Sequence, residues 1–143
     1  MFSARSIPIR FGGRYDEDEK ISVEVLALRR DVLGEKYPDT IRSMANLAAI
    51  YHAQGRYDED EKISVEVLAL QRDVLGEKHP NTLQAMYDLA VTWNSRQRRP
   101  EALAMIQECF QLQCSVLGRT HPSTGGSLRV LNSWGRTGKR ALV

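Results

Sequence analysis

The sequence predicts an all-α fold of helical hairpins stacked one on the next, and three observations carry that expectation. A 42-residue period runs through the chain. Within each period apolar residues recur at spacings of three and four, the signature of helices that bury one face. Glycines at 34, 55, 76 and 118 follow helical stretches, and Pro38, Pro80, Pro100 and Pro122 stand at or close to the start of others.

The period can be read directly. Residues 13–28, GRYDEDEKISVEVLAL, return letter for letter as residues 55–70, and between Gly13 and Thr40 only Arg29, Tyr37 and Asp39 change in the second copy. A duplication is the origin. The third copy has diverged but keeps phase: Val32-Leu-Gly34, Val74-Leu-Gly76 and Val116-Leu-Gly118 precede Pro38-Asp-Thr, Pro80-Asn-Thr and Pro122-Ser-Thr.

Taken in order, residues 1–12 read as a disordered N-terminus, because Pro8 interrupts any amphipathic helix there. Residues 13–37 form a half repeat, a second-type helix (helix B) with no first-type helix (helix A) before it. The repeat 38–79 opens at Pro38 with Asp39 as the expected N-cap, and Met44, Leu47, Ala48 and Tyr51 make one apolar stripe before Gly55. Its helix B starts with Asp58-Glu-Asp-Glu61, solvated acids suited to the positive end of a helix dipole. It continues with Ile63, Val67, Leu70 and Val74 on one face up to Gly76. The repeat 80–121 follows the same plan, with helices from Asn81 to about Arg96 and from Pro100 to Leu117. Residues 122–134 give a partial capping helix, in which Gly125 and Gly126 each cost about 1 kcal/mol relative to alanine. Residues 135–143 read as a disordered basic tail. No such helix is stable alone, so each stripe must be covered by its neighbour. Ala48, Ala90 and Ala102 allow close approach. Asp18 and Asp60 stand where the third copy has Ala102, and a carboxylate at a crossing must reach solvent or find a partner, which predicts looser crossings there.

Leu47-Ala-x-x-Tyr51, Gly55-Arg-Tyr57 and the linker VLGEKHPNT (residues 74–82) resemble the kinesin-light-chain class of tetratricopeptide repeat over about residues 13–133. The chain is also similar to the arrays at the C-terminal end of fungal nucleotide-binding, immune-receptor-like proteins, whose last repeats run much like Asp88-Leu-Ala to Glu108-Cys and end near Leu131-Asn-x-Trp134. The resemblance implies a short right-handed superhelix, an α-solenoid, whose A helices line a concave groove that receives extended peptides. It also implies a fragment of a larger parent protein.

Composition narrows the function further. Twenty basic and 18 acidic side chains leave a formal charge of +2, too balanced for nucleic acid or an acidic membrane as the main partner. The acids are concentrated in the middle of the chain and both ends are basic. No run is long enough to span a bilayer, and no secretory signal opens the chain. Cys109 and Cys114 lie about 140° apart around a helix, so they neither bridge nor share a metal readily, and a reducing, cytoplasmic setting is the simpler expectation. Enzyme chemistry is not expected, nor is any cofactor. Gly135-Arg-Thr-Gly-Lys139 lacks the spacing and the hydroxyl of a phosphate loop. His79 and His121 share one linker position and read as linker geometry; Cys109 reads as a small core residue; Arg96, Arg98 and Arg99 read as a solvated basic turn.

The functional expectation rests on the groove. With Met44, Leu47, Ala48 and Tyr51 inward, Arg42, Asn46 and His52 flank or oppose them. Adding 42 gives Gln84, Tyr87, Asp88 and Asn94, and adding 42 again gives Arg129. In the family that the sequence resembles, the Asn before Leu-Ala binds peptide backbone from the groove, and Asn46 matches it, while Asp88 replaces it in the next copy. A side-chain amide donates and accepts, as an unpaired peptide backbone requires. The expected partner is a protein or extended peptide. The alternative is a self-associating structural element, with both ends exposing apolar faces to dimerise or stack head to tail.

Overall fold

The computed structural model describes the backbone of residues 3–137 and the side chains of residues 15–135. Six α-helices and no strand occur among the described residues: α1 (Ser3–Leu33), α2 (Pro38–Ala53), α3 (Tyr57–Leu75), α4 (Pro80–Ser95), α5 (Arg99–Val116) and α6 (Pro122–Thr137). The all-α repeat expectation holds, with α2, α4 and α6 as A helices and α1, α3 and α5 as B helices. Helix α1 begins at Ser3 and passes through Pro8, ten residues ahead of the Gly13 at which the repeat starts. Residues 138–143, the larger part of the basic tail with Lys139 and Arg140, lie outside the described residues.

Backbone conformation at the joints is set by glycine. Gly34, Gly76 and Gly118 end the B helices at φ of 96°, 95° and 94°. A Cβ at any of them meets nothing within 4 Å, so the left-handed dihedral and not lack of space selects the residue. Gly55 closes α2 at φ 79°; its counterpart after α4 is Gln97, at φ 66° and with a side chain. The A helices start on a proline. The expected cap is corrected: the residue before α2 is Tyr37, which makes no side-chain cap, and Asp39 lies in the first turn, 3.1 Å from Arg42. In the later copies, where histidine replaces Tyr37, His79 Nδ1 accepts from the Asn81 N–H at 3.0 Å and His121 Nδ1 from the Ser123 N–H at 3.1 Å. The linker histidines are therefore N-caps.

The chain divides into two compact units, Met1–Val67 and Leu68–Val143. In the first, the predicted stripe Met44, Leu47, Ala48 and Tyr51 is buried on α2 together with Thr40, Ile41 and Ser43. Arg29 of α1 donates to the Ser43 hydroxyl at 2.6 Å and to the Asp39 carbonyl at 3.2 Å, while Thr40 Oγ1 donates to the Arg29 carbonyl. In the second unit Ala90, Ile106 and Leu131 form the centre of a core on which Tyr87, Leu103, Met105, Phe110, Val130 and Trp134 pack.

The B-helix stripe is corrected in register. On α3 the buried residues are Asp60, Ser64, Val67 and Leu68, whereas Val74 is exposed. On α5 the positions equivalent to Asp60, Ser64 and Val67, namely Ala102, Ile106 and Cys109, are buried as well, together with Gln113, while Phe110 at the place of Leu68 is half-buried. A helix approaches its neighbour most closely along its small residues, so the row with Asp, Ser and Ala is inward and the larger Ile63 and Leu70 flank it.

Candidate peptide-binding faces

Each A helix buries one stripe and leaves another in water. On α2 the exposed row is Arg42, Asn46, Ala49 and Ala53, at i, i+4, i+7 and i+11. On α4 it is Asn81, Gln84 and Asp88. Gln84 Nε2 donates to Asp88 Oδ1 at 2.9 Å, which orients that carboxyl group along the helix surface. On α6 Arg129 is exposed, and its guanidinium folds back over Gly125 and Gly126.

Three of the expected groove residues have other work. His52 is half-buried and faces α3: its Nδ1 is 2.9 Å from Asp60 Oδ2, Ser64 Oγ donates to the other carboxyl oxygen at 2.9 Å, and the imidazole meets the Tyr57 ring edge-on at 5.0 Å. The pair is the partner that a carboxyl group at the crossing requires, since Asp60 keeps only 2% of its surface exposed. Asp60 therefore departs from the expectation of a solvated helix start. Asn94 accepts from Arg99 Nε at 2.7 Å, and Arg99 also donates to the Trp134 carbonyl at 3.1 Å, so both residues join α4, α5 and α6. Tyr87 is half-buried against the core of the second unit, offering only part of its ring. Arg98 covers the Trp93 ring at 5.3 Å, so the Arg96–Arg98–Arg99 turn is not simply a solvated basic cluster.

A polar cluster that sequence reading missed surrounds Arg56. Its guanidinium bonds Glu19 Oε1 at 2.7 Å and Glu59 Oε2 at 2.9 Å and lies 4.4 Å over the Tyr51 ring. The bond to Glu59 and the nearby charge of Glu19 hold Arg56 more firmly protonated, and Glu59 is correspondingly pushed below its ordinary pKa by Arg56. Burial, then the charge of Glu19, raises the Tyr51 hydroxyl. The long separation of Glu19 from Arg56 explains why no local spacing gave it away.

Cys109 is fully buried, donates to the Leu83 carbonyl at 3.3 Å, and lies 3.9 Å from the Ser127 hydroxyl. Burial pushes its thiol up to about 11, which keeps it protonated and unreactive at neutral pH. Among the described residues no group of three or more His, Cys, Asp or Glu side chains could hold a metal ion, and no helix is long and apolar enough to cross a membrane.

Family profiles of the tetratricopeptide repeat match residues 40–81 and 82–123, and a further one matches residues 10–59. Sequence comparison with curated proteins finds no match. Among solved structures, the chain resembles the nearly identical repeats of a protein assigned as a kinesin light chain in Podosopora anserina. The TM-score is 0.76 at 24% identity, over 92% of this chain and 62% of that one, and 0.77 for a single-substitution form of that protein. It also resembles BtubC from P. vanneervenii, with a TM-score of 0.79 at 17% identity over 87% of this chain and 50% of that one. The chain thus spans between half and two thirds of the length of these structures.

Proposed function

Because this chain belongs to the tetratricopeptide repeat family, we propose that it is a non-catalytic scaffold whose A helices bind a protein or extended peptide along their exposed rows. The observation that carries this reading is the division of α2. Met44, Leu47, Ala48 and Tyr51 are buried, while Arg42 and Asn46 stand one turn apart in water, with small Ala49 beside them. A flat row of one amide, one cation and one small residue leaves room for a main chain and supplies groups that pair with it. Asn46 donates and accepts; Arg42, 3.1 Å from Asp39, attracts an acidic side chain while remaining mostly exposed. On α4 the Gln84–Asp88 pair favours a donor or a cation.

A scaffold that presents short exposed rows binds modestly, and micromolar affinity, about −8 kcal/mol, is expected. Crosslinking pull-down identifies a partner, and titration of the peptide that it contributes then tests the surface. Asn46→Ala together with Asp88→Ala is expected to weaken binding by roughly 2 kcal/mol without changing the helical spectrum. Both residues are exposed, which makes them cleaner probes than Tyr87, whose ring also packs on the core. If the peptide binds this double variant as well as the original but loses affinity on changing the exposed Glu24 and Glu66 of the B helices, the A-helix reading is wrong.

A further inference from the structure

The first and last helices are complementary halves of a repeat. Helix α1 is a B helix, and residues 3–12 continue it, so no A helix precedes it among the described residues. Helix α6 is an A helix with no B helix after it among those residues. We infer that α1 of one copy of this chain docks on α6 of a second copy, completing a repeat head to tail.

The chain's own repeats show what the two faces are built to meet. Position for position, Met44, Met86 and Leu128 are equivalent; the two methionines are wholly buried, whereas Leu128 is 42% exposed. Ala48 and Ala90 are likewise buried, and their equivalent Asn132 is exposed. On the B side, Asp60 and Val67 are buried, while the same amino acids on α1 are more open: Asp18 is exposed and Val25 half-buried. Ile21 and Leu28 complete the open α1 row, the latter 63% exposed. The uncovered row of α1 has the same sequence as the α3 row that this chain covers with its own residues. The uncovered row of α6 holds the positions that are buried on α2 and α4. Each copy therefore carries both halves of a contact that the fold already makes.

Charge favours the same pairing. Asp16, Glu17, Asp18 and Glu24 of α1 are exposed. Beyond Glu108 every charged residue is basic, with Arg119 and Arg129 exposed beside α6. The acidic stretch 16–24 of α1 and the acid-free, arginine-bearing α6 attract each other. Such a contact uses different surfaces on the two partners, so it propagates unless it closes on itself.

The test is sedimentation of the 143-residue chain across a wide concentration range, with Leu28→Glu and Leu128→Glu as single variants. Both side chains are exposed, so each variant keeps the original helical spectrum. The original chain is expected to gain mass beyond a dimer as concentration rises. Each variant alone is expected to stay monomeric, and an equimolar mixture to form a dimer and stop, since each supplies one intact face. Asp18→Lys is expected to weaken association about threefold to tenfold, and added salt to weaken that of the original chain. A monomeric original chain at all concentrations overturns the proposal. So does association that Leu28→Glu abolishes and Leu128→Glu leaves intact, because that pattern belongs to an α1–α1 dimer.

Discussion

Residues 13–28 and 55–70 are the same amino acids in the same order, yet the structure treats them differently. In the second copy Asp60 is buried, bonded to Ser64 and paired with His52; in the first, Asp18 stands in water. Leu28 is exposed where Leu70 is half-buried, and Val25 half-buried where Val67 is buried. One feature is common to both: Leu26 and Leu68 are each buried. Helix formation is thus a property of the segment, whereas the role of each side chain is assigned by the helices around it. A B helix has two packing faces. On α1 the face containing Leu26 is covered and the face containing Asp18 and Leu28 is open.

The largest test of this contrast is truncation of the leucines. Leu26→Ala and Leu68→Ala are each expected to lower unfolding free energy by about 2–5 kcal/mol, whereas Leu28→Ala changes it by less than about 0.5 kcal/mol. Urea unfolding of dilute protein measures all three, and a cost for Leu28→Ala comparable to Leu68→Ala would mean that the first copy packs like the second. Next in size is His52→Ala, which deprives a buried carboxyl group of a partner and is expected to cost about 1–3 kcal/mol. Adding Asp60→Ala should recover most of that loss, since Ala102 already fills this position in the third copy. Asp18→Ala, the same change in the first copy, should stay within about 0.5 kcal/mol of the original.

A smaller effect separates the third copy from the other two. Cys109 occupies the position of Val25 and Val67 and introduces a titrating group into the core. Its pKa is raised in the folded state to about 11, so its contribution is complete below the thiol's unfolded value, about 8.5, and is lost as pH rises through about 11. Unfolding curves of the original chain should weaken across that window more than those of Cys109→Val. At pH 8 a thiol reagent should label the less buried Cys114 well before Cys109.

The fold was legible because its signals are local and recur. Apolar spacing marked the helices, the glycines marked their ends, and repetition excluded chance. The A-helix stripe was read correctly for the same reason: four apolar residues on one side leave little choice of face. The B-helix stripe was not, because Ile63, Leu70 and Val74 outnumber the small residues that make the closest approach. His52 and Asp60 sit eight residues apart across a turn, with no apolar pattern to connect them, so one read as groove and the other as a solvated helix start. The candidate face itself, Arg42, Asn46 and Asp88, was placed in water by simple subtraction of the buried stripe. The Arg56–Glu19 bond spans 37 residues and could not be inferred from spacing.

The near-identity of the joints at Gly34, Gly76 and Gly118 has a genetic consequence. Misaligned recombination that keeps the 42-residue period inserts or deletes whole units, and each new junction is a joint the protein already makes. Length can therefore change in steps of one repeat with every glycine and proline kept in phase, while an insertion of another size inside a helix rotates its apolar stripe off the buried face. The number of repeats is thus free to change while the chemistry of each joint stays the same.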